Sequence, residues 1–156
     1  MIQQDFRDAM RRLAATVNVV TIQHGGKSMG MLATAVSSLS SDPPSLLVCV
    51  NETASMHDAL LAAPFFAVNV LHQDHQDLAS IFANSNTRET RFETGTWDHQ
   101  HAAPCLADAQ AVLLCERVEQ TRFATHTICI GLVHEVRLRP DVDPLLWLDG
   151  QYRKAS

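Results

Sequence analysis

The sequence has no run of basic residues and no apolar stretch long enough to cross a membrane as a helix. Its 12 Lys and Arg residues are outnumbered by 17 Asp and Glu residues, and the formal charge is −5 at pH 7. A chain with this charge is not generally attracted to nucleic acid phosphates or to anionic membrane surfaces. The N-terminus also lacks the basic and then apolar order of a secretory signal. We therefore expect a soluble, cytoplasmic protein that binds neither nucleic acid nor membrane.

Cysteines at metal-ligand spacing are absent as well. No two of the four cysteines form a Cys-x-x-Cys pair, and the chain has no signal peptide, so we expect buried thiols rather than disulfides or zinc ligands. These residues are Cys49, Cys105, Cys115 and Cys129. Among eight histidines, His72 and His75 form one close pair, which straddles a predicted strand end and has no Cys or third ligand nearby. His99 and His101 would point the same way only on a strand, and their segment is predicted to be a loop. The sequence therefore predicts no metal site.

The common catalytic and nucleotide-binding motifs are also missing. There is no Gly-x-Ser-x-Gly elbow, no Gly-x-Gly-x-x-Gly and no P-loop. The serines between Ser37 and Ser41 have no identifiable base, so nucleophilic catalysis has no support. A nucleotide would have to be held by hydroxyls and backbone N–H groups in a polar corner.

What is present indicates one globular domain covering residues 1–156, with 46% apolar residues. The strand patterns lie too close together for repeated βαβ units, and they predict a mainly β fold, a closed or partly closed antiparallel barrel with a few peripheral helices. Three helices are expected: one capped by Asp5, one with a capping box at 55–58 and one at 74–83. A hairpin is expected across Gly25-Gly26, and a long polar loop at 84–104. Further strands are expected at 65–71, 111–118, 127–138 and Leu145–Leu148.

The stretch 29–51 is rich in hydroxyls and poor in bulky side chains in its first half, and a proline break precedes an apolar strand. Gly30 permits close approach of the backbone to a ligand. Spacing alone favours a β-hairpin with a Ser-rich connection, and a polar ligand cradle is the alternative.

The run Gly-Met-Leu-Ala-Thr-Ala-Val-Ser-Ser-Leu-Ser-Ser-Asp-Pro-Pro from Gly30, followed by Leu-Val-Cys-Val-Asn and then Ser55, resembles the short-chain flavin reductases. These are reductase components of two-component flavin monooxygenases with an FMN-binding split barrel fold. Further resemblances lie at 65–71, at 81–83, at Arg91-Phe92, around His126 and at the Gly-Gln-Tyr-Arg ending. The likeness extends over nearly the whole chain.

The resemblance implies an NAD(P)H-dependent flavin reductase that uses FMN or FAD, with NADH or NADPH as the donor. It implies that the flavin lies along one set of residues: Met31, Leu32, Ala33, Thr34, Ser37, Ser38, Cys49, Val50, Asn51, Ser55, Ala83, Arg88 and Arg91. His126 and Tyr152 are expected on the nicotinamide side. Hydride passes between cofactors, so no catalytic acid or base of the protein is required.

The same resemblance implies a homodimer and a flavin-dependent oxygenase that receives reduced flavin. Two departures stand out, because Leu32 occupies a position where the family usually has Thr, and Ala124-Thr125 replaces the usual Gly-Asp. A flavin-binding module without efficient turnover, serving as a sensor, store or electron carrier, is therefore an alternative. A structural β-domain without a ligand is a third interpretation.

Overall fold

The computed structural model describes residues 1–156 and is built mainly of β-strands. Its elements are α1 Ile2–Met10, β1 Ala15–Thr16, β2 Asn18–His24, β3 Lys27–Ala33, β4 Val36–Ser41, β5 Pro44–Asn51, α2 His57–Ala62, β6 Phe65–Val70, a 3₁₀ turn Gln73–His75, α3 Gln76–Ala83, a 3₁₀ segment Ser85–Glu93, β7 Trp97–Asp98, β8 Cys105–Leu106, β9 Ala111–Phe123, β10 His126–Leu138, β11 Leu145–Leu148 and β12 Gln151–Lys154.

Seven strands form one antiparallel sheet in the order β3-β2-β6-β9-β10-β5-β4. Its two edge strands, β3 and β4, are consecutive in the chain and are not paired with each other. The link between them is Thr34-Ala35, so the barrel is open at this point. The predicted mainly β, partly closed split barrel is thereby confirmed.

The sheet carries an apolar cluster on each face. On the α2 side, Val20, Ile22, Val48 and Phe66 pack with Leu60 of the helix. On the α3 side, Val17, Val19 and Leu106 pack with Leu78 and Phe82. Each such side chain contributes about 1.5–3 kcal/mol when it is fully buried. The α2-side and α3-side clusters together hold the sheet between the two helices.

Two predicted helix starts are wrong. Helix α1 begins at Ile2 after Met1, and Asp5 lies within its first turn instead of capping it. Helix α2 begins at His57 after Met56, and no side chain caps it, so the predicted capping box at Ser55 does not form. In both cases the sequence contains a capping residue type, but the tertiary path starts the helix elsewhere. The expected end of α2 before Pro64 is confirmed.

The stretch 84–104 is more ordered than its polar sequence predicts. It contains the 3₁₀ segment Ser85–Glu93 and the strand Trp97–Asp98, which pairs with β8. Phe92 and Trp97 pack against the α3-side cluster, with ring centroids 4.9 Å apart. The prediction of an irregular loop failed because two aromatic residues anchor this segment to the core.

The cysteines are free thiols, three of them buried and Cys49 half-buried. Burial raises the pKa of Cys115 to about 12 and that of Cys129 to about 11. Such thiols are poor nucleophiles and behave as small apolar side chains. No helix in the structure is long and apolar enough to span a membrane.

Candidate functional site

The opening of the barrel forms a polar corner at Thr34-Ala35. The N–H of Val36 donates to the carbonyl of Thr34 at 3.0 Å, and the N–H of Cys49 donates to the carbonyl of Ala35 at 3.0 Å. On the other side, Asn18 Nδ2 donates to the carbonyl of Ala33 at 3.1 Å. The corner is therefore held on both sides by hydrogen bonds, while Thr34 itself is exposed.

Strand β5 presents alternating main-chain groups to this corner. The N–H of Cys49 points towards Ala35, whereas the N–H of Glu52 points the other way and donates to Thr125 at 2.9 Å. Because successive residues of a strand alternate, the N–H of Asn51 faces the same side as that of Cys49, beyond the start of β4. The side chain of Val50 is fully buried, so it lies in the core and not at the corner.

Strand β3 turns its side chains away from the corner. Met31 is half-buried against the α2-side cluster, and Ala33 belongs to that cluster. Leu32 packs against the α3-side cluster, on the opposite face of the strand. Beyond the corner, Ser37 and Ser38 lie exposed on the edge strand, and Ser37 Oγ donates to the carbonyl of Ser38 at 3.1 Å.

A crevice of about 50 Å³ lies between β3, the start of α2 and the 3₁₀ segment. It brings together three of the predicted site residues, Ser55, Arg88 and Arg91, with the backbone of Met29-Gly30. A Cβ atom on Gly30 would lie 2.7 Å from the Phe82 ring, so only glycine allows this close packing. Ala83, also predicted, is the exposed last residue of α3 and is not among the residues that line the crevice.

Arg91 is the most unusual side chain of the crevice, because it is only 7% exposed and no carboxylate pairs with it. Its guanidinium donates to the carbonyl of Gly30 at 2.8 Å and to that of Asn84 at 3.1 Å, while Nε has no partner. Burial, and then repulsion from the neighbouring Arg88, lowers the pKa of Arg91. A buried cation without an anion is costly, and an anionic ligand would offset that cost.

Three charged or polar lining residues of the crevice, Lys27, Ser28 and Glu89, were not among the sequence predictions. Lys27 and Ser28 come from the β2–β3 turn, and Lys27 Nζ lies 3.3 Å from Glu89 Oε2 at the rim. The signal that could have found Lys27 and Ser28 is their place directly after Gly25-Gly26, which turns the chain back towards Gly30.

The other end of the candidate site is the turn between β9 and β10. His126 is exposed and lies directly across from Asn51 on β5 and from Phe123 on β9. Its Nδ1 is 2.9 Å from the Thr125 hydroxyl. Ala124 has a positive φ of 50°, a conformation that favours glycine. The turn is thus retained although Ala124-Thr125 departs from the Gly-Asp of the resembled family.

Tyr152 lies in a separate three-stranded sheet of β1, β11 and β12. Its ring packs on Trp147 with centroids 5.0 Å apart, and it also contacts the α3-side cluster.

The histidine pairs bond to protein groups. His72 Nε2 is 2.8 Å from Asp141, and the N–H of His72 donates to His75 Nδ1 at 3.0 Å. His101 Nε2 is 3.0 Å from Asp98, and His99 Nδ1 is 3.2 Å from the Ser28 hydroxyl. No group of three or more His, Cys, Asp or Glu residues is arranged to hold a metal ion.

Comparison with known proteins agrees with the fold and with the resemblance found in the sequence. Residues 10–156 match the model of the flavin reductase like domain. The reductase component of an FADH(2)-dependent resorcinol hydroxylase from Rhizobium sp. (strain MTP-10005) is 41% identical over 99% of this chain and 88% of that protein. The FMN reductase (NADH) RutF of Pseudomonas syringae pv. syringae (strain B728a) is 36% identical over 96% of this chain and 85% of that protein.

A solved structure supports the same assignment. The NADH:FAD oxidoreductase SgcE6 of Streptomyces globisporus, determined in complex with NAD and FAD fragments, superposes with a TM-score of 0.90 at 31% identity, and the match covers 99% of this chain and 93% of that chain. The family model spans nearly the whole sequence, and the fold is shared from end to end. The chain therefore belongs to the flavin reductase like domain family.

Proposed function

We propose that this protein is an NAD(P)H:flavin oxidoreductase that reduces FMN or FAD and supplies the reduced flavin to a partner monooxygenase. The observation that carries the proposal is the buried guanidinium of Arg91, which has no acidic partner and lies in one crevice with Arg88 and Ser55. A phosphate group fits this donor set, because two guanidiniums and a hydroxyl converge there, and the carboxylate of the lining, Glu89, pairs with Lys27 and not with the arginines.

The residues of this chain would divide the work of holding a flavin. Arg88, Arg91 and Ser55 would bind the phosphate, and the Thr34 hydroxyl would bind the ribityl chain. The carbonyl of Cys49 and the N–H of Asn51 would meet the polar edge of the ring. Met31, Leu32 and Ala33 would contribute packing or main-chain contacts, and Ser37 and Ser38 would form the rim. Val50 and Ala83 would support the site from behind, since Val50 is buried in the core and Ala83 does not line the crevice. When bound, the flavin supplies the redox chemistry by accepting a hydride from the pyridine nucleotide.

His126 would line the nicotinamide side, since it lies directly across the strands from Asn51. No acid or base of the chain is needed for hydride transfer, so His126 would orient and desolvate the nicotinamide. Tyr152 would close the barrel side of the same region. The relatives support NADH as the donor, because RutF proteins are named FMN reductase (NADH). Their names also support a partner oxygenase, since one relative is the reductase component of a hydroxylase.

A homodimer is part of the proposal, and strands β5 and β10 support it. Both are apolar on the face opposite the α2-side cluster, where Leu47 and Cys49 oppose Ile130 and Ile128 in register. An antiparallel sheet with one solvated face normally alternates apolar and polar residues, whereas these strands resemble strands covered on both sides. A second copy would supply the missing cover.

The deciding experiment follows absorbance at 340 nm when purified protein is mixed with NADH or NADPH and excess FMN, FAD or riboflavin. We expect flavin-dependent oxidation of the pyridine nucleotide. No oxidation with any pair would refute the reductase function. Bound flavin without turnover would instead indicate a flavin-binding module.

The phosphate assignment has its own test, because riboflavin lacks the phosphate of FMN. Arg88→Ala should weaken FMN binding at least about tenfold, as expected for a lost charge-assisted hydrogen bond, and should leave riboflavin binding unchanged. Lys154→Ala removes an exposed cation on β12 and is the matched control. Equal losses for FMN and riboflavin would remove Arg88 from the phosphate site.

The dimer proposal is tested by Ile128→Glu, which places a charge on the half-buried face of β10 that lies opposite the α2-side cluster. We expect the molar mass measured by light scattering to fall from that of two chains to that of one. Phe123→Glu, at the exposed tip of the same hairpin, is the control and should not change the mass. A wild-type protein that is monomeric at micromolar concentration would contradict the proposal.

A further inference from the structure

The turn that carries His126 is held by a residue from another strand. Glu52 immediately follows β5, and its N–H donates to the carbonyl of Thr125 at 2.9 Å. Its carboxylate forms an ion pair with Arg122, on the opposite side of the turn. Glu52 therefore contacts the turn through its backbone and the end of β9 through its side chain.

Arg122 also reaches the middle of this turn. Its Nε lies 3.5 Å from the carbonyl of Ala124, the residue with the positive φ of 50°. A left-handed conformation costs an L-residue with a Cβ atom roughly 1–2 kcal/mol. The turn is thus under conformational strain at Ala124, and the Glu52–Arg122 pair opposes its relaxation.

His126 is the residue that a relaxed turn would displace. It follows Thr125 directly and lies across from Asn51, which precedes Glu52. The contact pairs Asn51–His126 and Glu52–Thr125 are therefore consecutive along the two strands. Any slippage of the turn away from Glu52 would move His126 relative to Asn51, whereas Arg88 and Arg91 belong to the 3₁₀ segment Ser85–Glu93, which pairs with neither strand.

We propose that Glu52 is a positioning residue for the reductase reaction, acting through Arg122 to keep His126 beside Asn51. The proposal rests on the proposed function, since it concerns the nicotinamide end of that site. Side-chain exposures of 32% for Glu52 and 63% for Arg122 place the pair at the surface. Exposed ion pairs contribute little to global stability, typically about 0.2–1 kcal/mol, so the pair can be removed without unfolding the protein.

The first variant is Glu52→Gln, which removes the charge and keeps the shape and the backbone hydrogen bond. At saturating flavin, we expect the KM for NADH to rise up to about fivefold, the equivalent of about 1 kcal/mol. At saturating NADH, the KM for flavin should stay within about twofold. The melting temperature should fall by no more than about 4 °C, as a chain of this size loses about 2–4 °C per kcal/mol.

Charge exchange separates positioning from general destabilisation. Arg122→Glu should raise the KM for NADH at least as much as Glu52→Gln. The double variant Glu52→Arg with Arg122→Glu should lower this KM below that of Arg122→Glu, but the rescue should be partial because a glutamate at 122 cannot donate to the carbonyl of Ala124. Glu116→Gln is the matched control, because Glu116 pairs with His134 at 2.8 Å between the same two strands but away from the turn. It should leave both KM values unchanged.

Three outcomes would overturn the proposal. An active wild type with an unchanged KM for NADH in Glu52→Gln refutes the positioning by Glu52 and leaves the reductase function standing. Equal rises in both KM values, or a double variant that is no better than Arg122→Glu alone, indicate general damage to the fold. A wild type that does not oxidise NADH with any flavin refutes the reductase function itself, and the proposal for Glu52 with it.

Discussion

The two ends of the candidate site are held together in opposite ways. At the crevice, Arg91 is buried, bonds only to carbonyl oxygens and has no acidic partner. At the β9–β10 turn, Arg122 is exposed and paired with Glu52. Desolvation makes an unpaired cation costly in the buried crevice, whereas a cation at the exposed turn stays hydrated. The difference fits the proposal that a ligand completes the crevice, whereas the protein itself completes the turn.

The largest expected effect tests the crevice. Arg91→Met removes the buried charge, and we expect FMN affinity to fall by about 10- to 100-fold, from the loss of charge-assisted hydrogen bonds of about 1.5–3 kcal/mol. Riboflavin affinity should change far less. Fluorescence titration measures both constants. Arg91→Lys keeps the charge and should retain part of the preference for FMN, whereas equal losses for the two flavins would make Arg91 a structural residue only.

A smaller effect is expected next to the crevice, at Leu32. This side chain packs on the α3-side cluster, so Leu32→Thr should lower the free energy of unfolding by about 1–2 kcal/mol, through lost packing and a partly buried hydroxyl. Flavin affinity should not increase. Urea denaturation and flavin titration give the two quantities. A gain in flavin affinity would show that the threonine usual in the resembled family contacts the ligand directly.

The sequence predicts the hairpin across Gly25-Gly26 and the order of the main strands, because turn residues and apolar runs are local features. It does not predict the burial of Arg91. That depends on the 3₁₀ segment packing against Gly30, 61 residues away in the chain, through Phe92. An arginine in a polar stretch has the same local pattern whether it is solvated or buried.

The contacts that hold the β9–β10 turn are also long-range and cannot be predicted from the local sequence. The unusual Ala124-Thr125 is visible in the sequence, but the ion pair that braces it joins Arg122 to Glu52 from another strand. The pairing depends on the register in which Asn51 faces His126. A one-residue change of register would separate these groups, so the sequence alone could not identify Glu52.

Thr34 lies at the opening of the barrel and is not among the residues that line the crevice. Thr34→Val removes its hydroxyl and keeps its shape. We expect flavin affinity to fall about fivefold, as for one hydrogen bond of about 1 kcal/mol, with FMN and riboflavin affected alike because the ribityl chain is common to both. Thr34→Ser should retain the wild-type affinity. Unchanged affinity in the valine variant would exclude the Thr34 hydroxyl from the site.

The smallest effect concerns the strain in the turn. Ala124→Gly removes the Cβ atom at a φ of 50°, and we expect the free energy of unfolding to increase by about 0.5–1 kcal/mol, because relief of strain exceeds the added entropy of the unfolded chain. Ala102→Gly, at an exposed position without a positive φ, should not stabilise the protein.

In the Ala124→Gly variant the strain is relieved, so the turn depends less on Arg122. Glu52→Gln should therefore raise the KM for NADH less in the Ala124→Gly background than in wild type. An undiminished effect would mean that the ion pair positions His126 without opposing any strain at Ala124.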